Sequence, residues 1–173
     1  MARLFFALWP DAGARAALAA KAGEVARRCG GRPVPAANLH LTLAFLGEVD
    51  PGAMPALRDA ASLARAEAFG LELDQLGAFA RAGVAWAGCR RAPAALLELQ
   101  SGLARRIRDA GVALDERPFA AHLTLARRIR TPLAPEAMEP VRWRVKSFAL
   151  VESVRGEGAY RTLADWILEG GKN

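Results

Sequence analysis

The tetrapeptide His40-Leu41-Thr42-Leu43 recurs unchanged as His122-Leu123-Thr124-Leu125, and the two copies hold both histidines of a 173-residue chain. Each copy lies in a short apolar run of strand length, Leu39 to Leu46 and Phe119 to Ala126. Successive side chains of a strand point to opposite faces, so histidine and threonine share one face while the leucines point the other way, into a core. A fold that sets these strands opposite each other brings two imidazoles and two hydroxyls to one site.

That set suits acid–base work on a phosphodiester. Histidine gives or takes a proton near neutrality, so one imidazole can deprotonate an attacking water while the other protonates the departing oxygen. Threonine hydroxyls can bond the phosphoryl oxygens as charge builds there. One copy alone reads as an ordinary surface His-Thr pair. Two copies that use every histidine point to chemistry, with His40, His122, Thr42 and Thr124 as the candidate catalytic set.

The segments between the motifs alternate strands with helices. Arg3 to Trp9 reads as a core strand, and Asp11 as the N-cap of a helix running to Arg28 and closed by Cys29-Gly30-Gly31. Arg32-Pro33-Val34-Pro35 is extended. Gly47 to Asp50 turns the chain into a helix from Pro51 to Ala68, with Met54, Leu57, Ala61 and Ala64 at helical spacing. Strands are expected over Leu71 to Leu76 and Val84 to Ala87, and a third helix over Pro93 to Ala110. Thr131 to Pro140, with three prolines, reads as a loop, followed by strands Arg142 to Val154 and Tyr160 to Leu168 joined across Gly156 to Gly158. This order predicts an α+β fold: a single domain over residues 1–173 with two pseudo-symmetric lobes, each an antiparallel sheet with helices outside, around a central cleft.

The motifs and their flanks resemble the two-histidine phosphoesterase superfamily, and more closely the RNA 2′,3′-cyclic phosphodiesterase family, formerly called 2′-5′ RNA ligases. The matching segments are Arg3-Leu4-Phe5-Phe6-Ala7-Leu8, Asn38 to Val49, Arg117-Pro118-Phe119, His122 to Arg127 and Tyr160 to Leu168. The resemblance implies hydrolysis of RNA 2′,3′-cyclic phosphate ends to 2′-phosphates, with joining of RNA ends as the reverse reaction. It also implies that Phe45 stacks on a base and Arg127 contacts the phosphate. Both lie five positions after their histidine, where strict alternation faces them away from it. They reach the site only if each strand ends, twists or bulges.

Composition adds limits. A net charge of +6, carried almost wholly by arginine, suits a polyanionic partner such as RNA ends or small cyclic nucleotides. Two cysteines without CxxC spacing, Cys29 and Cys89, argue against a zinc site, so no metal and no cofactor are expected. No GxxxxGK[ST] loop supports ATP-driven ligation. No apolar run reaches membrane-spanning length and Met1 to Trp9 is too short for a secretory signal, so a cytoplasmic monomer is expected. Two other readings fit the same residues: a phosphodiesterase for another cyclic or 2′-5′-linked nucleotide, and a non-catalytic RNA-end binding module.

Overall fold

A computed structural model describes residues 1–154, 156 and 158–170. The strands are β1 (Ala2–Leu8), β2 (Arg32–Pro33), β3 (Leu41–Val49), β4 (Phe69–Phe79), β5 (Val84–Gly88), β6 (His122–Arg127), β7 (Glu136–Val145), β8 (Ser147–Ser153) and β9 (Tyr160–Ile167). The helices are α1 (Ala12–Cys29), α2 (Met54–Leu63) and α3 (Ala94–Asp109).

The strands run in the order β7-β4-β5-β6-β3-β1-β8-β9, all antiparallel, with β2 paired to β6. At the centre of this path β6 and β3 share one register pair, Leu41 with Leu123. The sheet is therefore two four-stranded lobes hinged at a single seam: β9-β8-β1-β3 and β7-β4-β5-β6. Each lobe carries one motif strand at its inner edge, with three further strands outward from it. That is the expected pair of pseudo-symmetric lobes. The lobes are not the two halves of the sequence, however, because β1, β8 and β9 from both termini build one of them.

Two of the three helices, α1 and α3, cross between lobes. Asp11 accepts the Ala14 amide at 2.8 Å and starts α1, which leaves β1 yet packs on β6, β2 and β7 of the other lobe. Its Leu18, Ala22, Val25 and Ala26 are buried there, and Gly30, with φ 62°, closes it in the left-handed region that glycine adopts freely. Helices α2 and α3 pack on each other, α2 against β9 and α3 against β3. Leu96, Leu99, Leu103 and Ile107 of α3 are buried, with Arg105 and Arg108 exposed on its other side. The main core lies between these helices and one face of the sheet, around Leu4, Phe6, Leu8, Leu41, Leu43, Leu123 and Leu125. The other face holds the cleft.

Several boundaries differ from expectation. Helix α2 stops at Leu63 rather than Ala68, so Ala64 lies beyond it as an extended cap residue. Strand β3 continues through Gly47 to Val49 instead of turning at Gly47, whose φ of 68° sits at a bulge opposite Leu4. The expected loop Thr131 to Pro140 becomes strand from Glu136. Leu73 and Gln75 of β4 pair with Val141 and Ala137, leaving Met138, Glu139 and Pro140 opposite Asp74 alone. A proline with no N–H to donate is tolerated in such a bulge on an edge strand, and β7 is an edge. Arg142 to Val154 is two strands, broken at Lys146. The β8–β9 hairpin forms as expected, but Arg155 and Glu157 of its turn lie outside the described residues. Cys29 and Cys89 are both free thiols.

Candidate active site

The seam sets the geometry of the site. An antiparallel register through Leu41 and Leu123 places His40 abreast of Thr124 and Thr42 abreast of His122, on the face opposite the buried leucines. His40 stands just before β3, and His122 is the first residue of β6.

Both imidazoles are held in the same way. His40 Nδ1 lies 2.6 Å from the Asn38 carbonyl oxygen, and His122 Nδ1 lies 2.7 Å from that of Ala120, in each case two residues back. A carbonyl only accepts, so Nδ1 carries the hydrogen and Nε2 is left as the working nitrogen. In His40 that nitrogen accepts from the Thr42 hydroxyl at 3.1 Å. Aromatic rings wall each histidine. Phe5 stacks on His40 with ring centroids 4.8 Å apart, Tyr160 and Trp9 meet it edge-on, and Phe79 meets His122 edge-on at 5.0 Å. Burial pushes both imidazoles below the ordinary value of 6.5, against the carbonyl hydrogen bonds, which raise them. The Arg127 cation lowers both further.

Phe45 and Arg127 reach the cleft through two matching bulges. Ala7 pairs with Thr42 and Phe6 with Ala44, so Leu43 is an extra residue in β3. Trp86 pairs with Thr124 and Ala85 with Ala126, so Leu125 is the extra residue in β6. Each bulge falls at the fourth position of its motif and reverses the alternation. Leu43-Ala44 and Leu125-Ala126 are therefore consecutively buried, and the residue after each pair returns to the histidine face. Phe45 is 40% exposed with the Arg3 guanidinium 5.1 Å from its ring centroid, not a core aromatic. A cleft of about 290 Å³ is lined by Arg3, Phe5, His40, Thr42, Phe45, Arg127, Ser153 and Tyr160. His122 and Thr124 sit beside it across the seam rather than on its wall.

No group of three or more histidine, cysteine or carboxylate side chains able to hold a metal ion occurs among the described residues. Asp74, the one buried carboxylate among them, accepts the Arg90 amide and Nε, each at 2.8 Å, which hold it below its usual range. No helix among the described residues is long and apolar enough to cross a membrane.

Over residues 10–157 the sequence matches the model of the 2′-5′ RNA ligase superfamily. The chain belongs to that superfamily. It is 38% identical over 141 residues to the RNA 2′,3′-cyclic phosphodiesterase of Escherichia coli K12, with 80% of each chain covered. With the Thermus thermophilus RNA 2′,3′-cyclic phosphodiesterase it shares 35% identity over 180 residues, covering 97% of this chain and 91% of the other. Among solved structures, E. coli LigT complexed with 3′-AMP is similar with a TM-score of 0.87 at 35% identity, covering 96% of this chain and 98% of that one.

In this member of the 2′-5′ RNA ligase superfamily the repeated tetrapeptide marks the motif residues, whereas much of the cleft wall carries no such mark. Arg3 and Phe5 lie in a run that reads as a core strand, although alternation in β1 separates Leu4, Phe6 and Leu8 from Phe5 and Ala7, which pack on the cleft face with Tyr160. Ser153 and Tyr160 arrive from the far terminus; Tyr160 opens a segment that matches the family, but nothing in the local sequence marks either as cleft-lining. The bulges did leave a trace, since the repeat runs one residue further, to Ala44 and Ala126.

Proposed function

We propose that this chain opens RNA 2′,3′-cyclic phosphate ends to 2′-phosphates without a metal. His40 and His122 act as the acid–base pair, Thr42 and Thr124 as hydroxyl donors, Arg127 as the phosphate contact and Phe45 as a base platform. The observation that carries the reading is the matched setting of the two imidazoles, each with Nδ1 tied to a carbonyl and Nε2 as the nitrogen left to move a proton, on either side of one seam. One Nε2 takes a proton from water as its oxygen attacks phosphorus. The other imidazole, protonated, donates to O3′ as the P–O3′ bond breaks, leaving the phosphate on O2′. The substrate's negative charge favours the protonated form that burial and Arg127 oppose. The Thr42 hydroxyl, which occupies His40 Nε2 in the free protein, turns to a phosphoryl oxygen when the phosphate arrives. The chain acts as a cytoplasmic single-domain monomer on RNA ends, with 2′-5′ joining as the return path.

The test is single-turnover opening of a cyclic-phosphate-ended oligonucleotide beside equilibrium binding of a non-cleavable end analogue. His40→Ala and His122→Ala lower turnover by at least about a hundredfold while affinity changes little, because phosphate contacts dominate binding. Arg127→Ala weakens both. Activity survives EDTA. A parent protein that binds the analogue but never cleaves would be an RNA-end binding module, and a rate abolished by EDTA and restored by a divalent metal would end the two-histidine mechanism.

A further inference from the structure

The β4–β5 hairpin presents an aromatic surface on the cleft face that the reaction above does not use. Gly77 of β4, Trp86 of β5 and Thr124 of β6 lie in one register row, so the indole shares the face of Thr124 and His122. Phe79, two residues beyond Gly77, stands on the same face and meets Trp86 at 5.6 Å with the rings tilted by 39°.

The indole lies flat across the strands because glycines leave room for it. A Cβ at Gly77 would fall 2.3 Å from Trp86 Cζ2, and one at Gly88 would fall 3.0 Å from Cζ3. Trp86 in turn backs Phe79, which is 39% exposed while its edge stays on His122. The opposite face of these strands, with Leu76, Ala85 and Ala87, belongs to the core. An isolated exposed phenylalanine needs no explanation. This one sits beside a histidine, braced by a second ring, in a cationic setting. Arg127 pairs with both Val84 and Arg32 in the sheet, and Arg81 is in the turn directly after Phe79. None of the ion pairs among the described residues uses Arg32, Arg81 or Arg127. Stacking rings framed by unneutralised arginines are what a single-stranded nucleotide binds.

Phe45 belongs to one lobe and Phe79 to the other, with the histidine seam between them. In displacement at phosphorus the entering and leaving oxygens lie on opposite sides, roughly in line. Hydrolysis puts water on the side away from O3′, and joining puts the 5′-hydroxyl of a second nucleoside there. We propose that Phe79, backed by Trp86, is a second stacking platform that takes the base of the nucleoside supplying the 5′-oxygen of a 2′-5′-linked dinucleotide. This rests on the phosphodiester reading above and adds to it where the second nucleoside sits. The step balances without a cofactor. The P–O3′ bond of the cyclic phosphate breaks and a P–O5′ bond forms. The 5′-hydroxyl proton goes to one imidazole, and the other imidazolium protonates O3′. Cleavage of the linkage runs the same step backwards.

Two measurements test it on the intact protein. The first is kcat/KM for cleaving a 2′-5′-linked dinucleoside monophosphate relative to kcat/KM for opening a nucleoside 2′,3′-cyclic phosphate. Base–aromatic stacking predicts that this ratio falls about tenfold in Phe79→Ala, through KM, and recovers in Phe79→Trp. The second uses a dinucleotide whose first sugar is 3′-deoxy, which removes the attacking hydroxyl, with 2-aminopurine on the 5′-linked nucleoside. Its fluorescence is quenched by the parent and by Phe79→Trp, and not by Phe79→Ala. Equal loss on both substrates in Phe79→Ala means that the ring merely supports His122, and overturns the proposal, as does the absence of quenching by the parent. Phe79-dependent quenching in a protein that turns over neither substrate keeps the platform and refutes the phosphodiesterase reading instead.

Discussion

Arg127 lowers the proton affinity of both histidines, so its removal has a definite sign. Without that cation the protonated imidazoles are less disfavoured, and both move back towards 6.5. Arg127→Ala therefore shifts the bell-shaped pH profile of kcat/KM to higher pH while lowering its maximum, the two limbs belonging to the pair rather than to either residue. A profile that keeps its position in the variant would place Arg127 away from the imidazoles. At this scale the sequence was legible where chemistry repeats: both histidines and both threonines are found by inspection. Phe45 and Arg127 were legible only conditionally, because the fifth repeated residue, Ala44 and Ala126, hints at a bulge but does not fix where the alternation reverses. Phe79 and Trp86 were not legible as part of a surface, since Phe79 falls beyond the expected strand Leu71 to Leu76 and the short run Val84 to Ala87 does not show what its indole lies against.

At the scale of elements, Gly77 shows how one strand is shaped for its neighbour. Alanine is ordinarily preferred to glycine in a strand interior by roughly 0.5–1 kcal/mol. Here the added methyl would meet three atoms of the indole within 2.9 Å, and overpacking of that kind costs about 1–3 kcal/mol. The clash wins. Gly77→Ala is expected to lower stability by about 1–2 kcal/mol and to change the near-UV circular dichroism of Trp86; a more stable variant with an unchanged tryptophan spectrum would show that the ring does not rest on Gly77. Elements with strong punctuation were read well from sequence, as at Asp11 and Gly30 around α1. Glu136 to Pro140 was not, because three prolines in ten residues outweigh strand propensity unless the partner strand is known to accommodate the bulge.

For the whole molecule the consequential feature is the crossing of helices. Because α1 leaves β1 of one lobe to cover the other, while α3, between β5 and β6 of the second, packs on β3 of the first, neither lobe keeps its core if the other melts. Unfolding is expected to be one transition, with far-ultraviolet dichroism and tryptophan fluorescence coincident, and separated midpoints would contradict the interlock. Its pH dependence follows from the histidines. Their folded affinities for protons are lowered, so the unfolded chain binds more protons as pH falls below about 6.5. Stability from this source is complete above that pH, declines as pH drops towards the folded values and levels off beneath them. Two lobes with one motif each were legible from the duplication. Their composition from both ends of the chain was not, since strand order is set by long-range pairing that no local pattern records.

The paired bulges leave a cleft that is symmetric in its machinery and unequal at one position, an aromatic ring after one motif and a guanidinium after the other. Such a cleft can tell front from back. If Phe45 and Arg127 act as proposed, a molecule with a charge at its middle and a flat group at one end would favour one orientation, and that orientation would assign different tasks to two imidazoles held in the same way. The division of labour would then be written by the guest as it enters, and a guest of reversed polarity would find the same hardware running the opposite way.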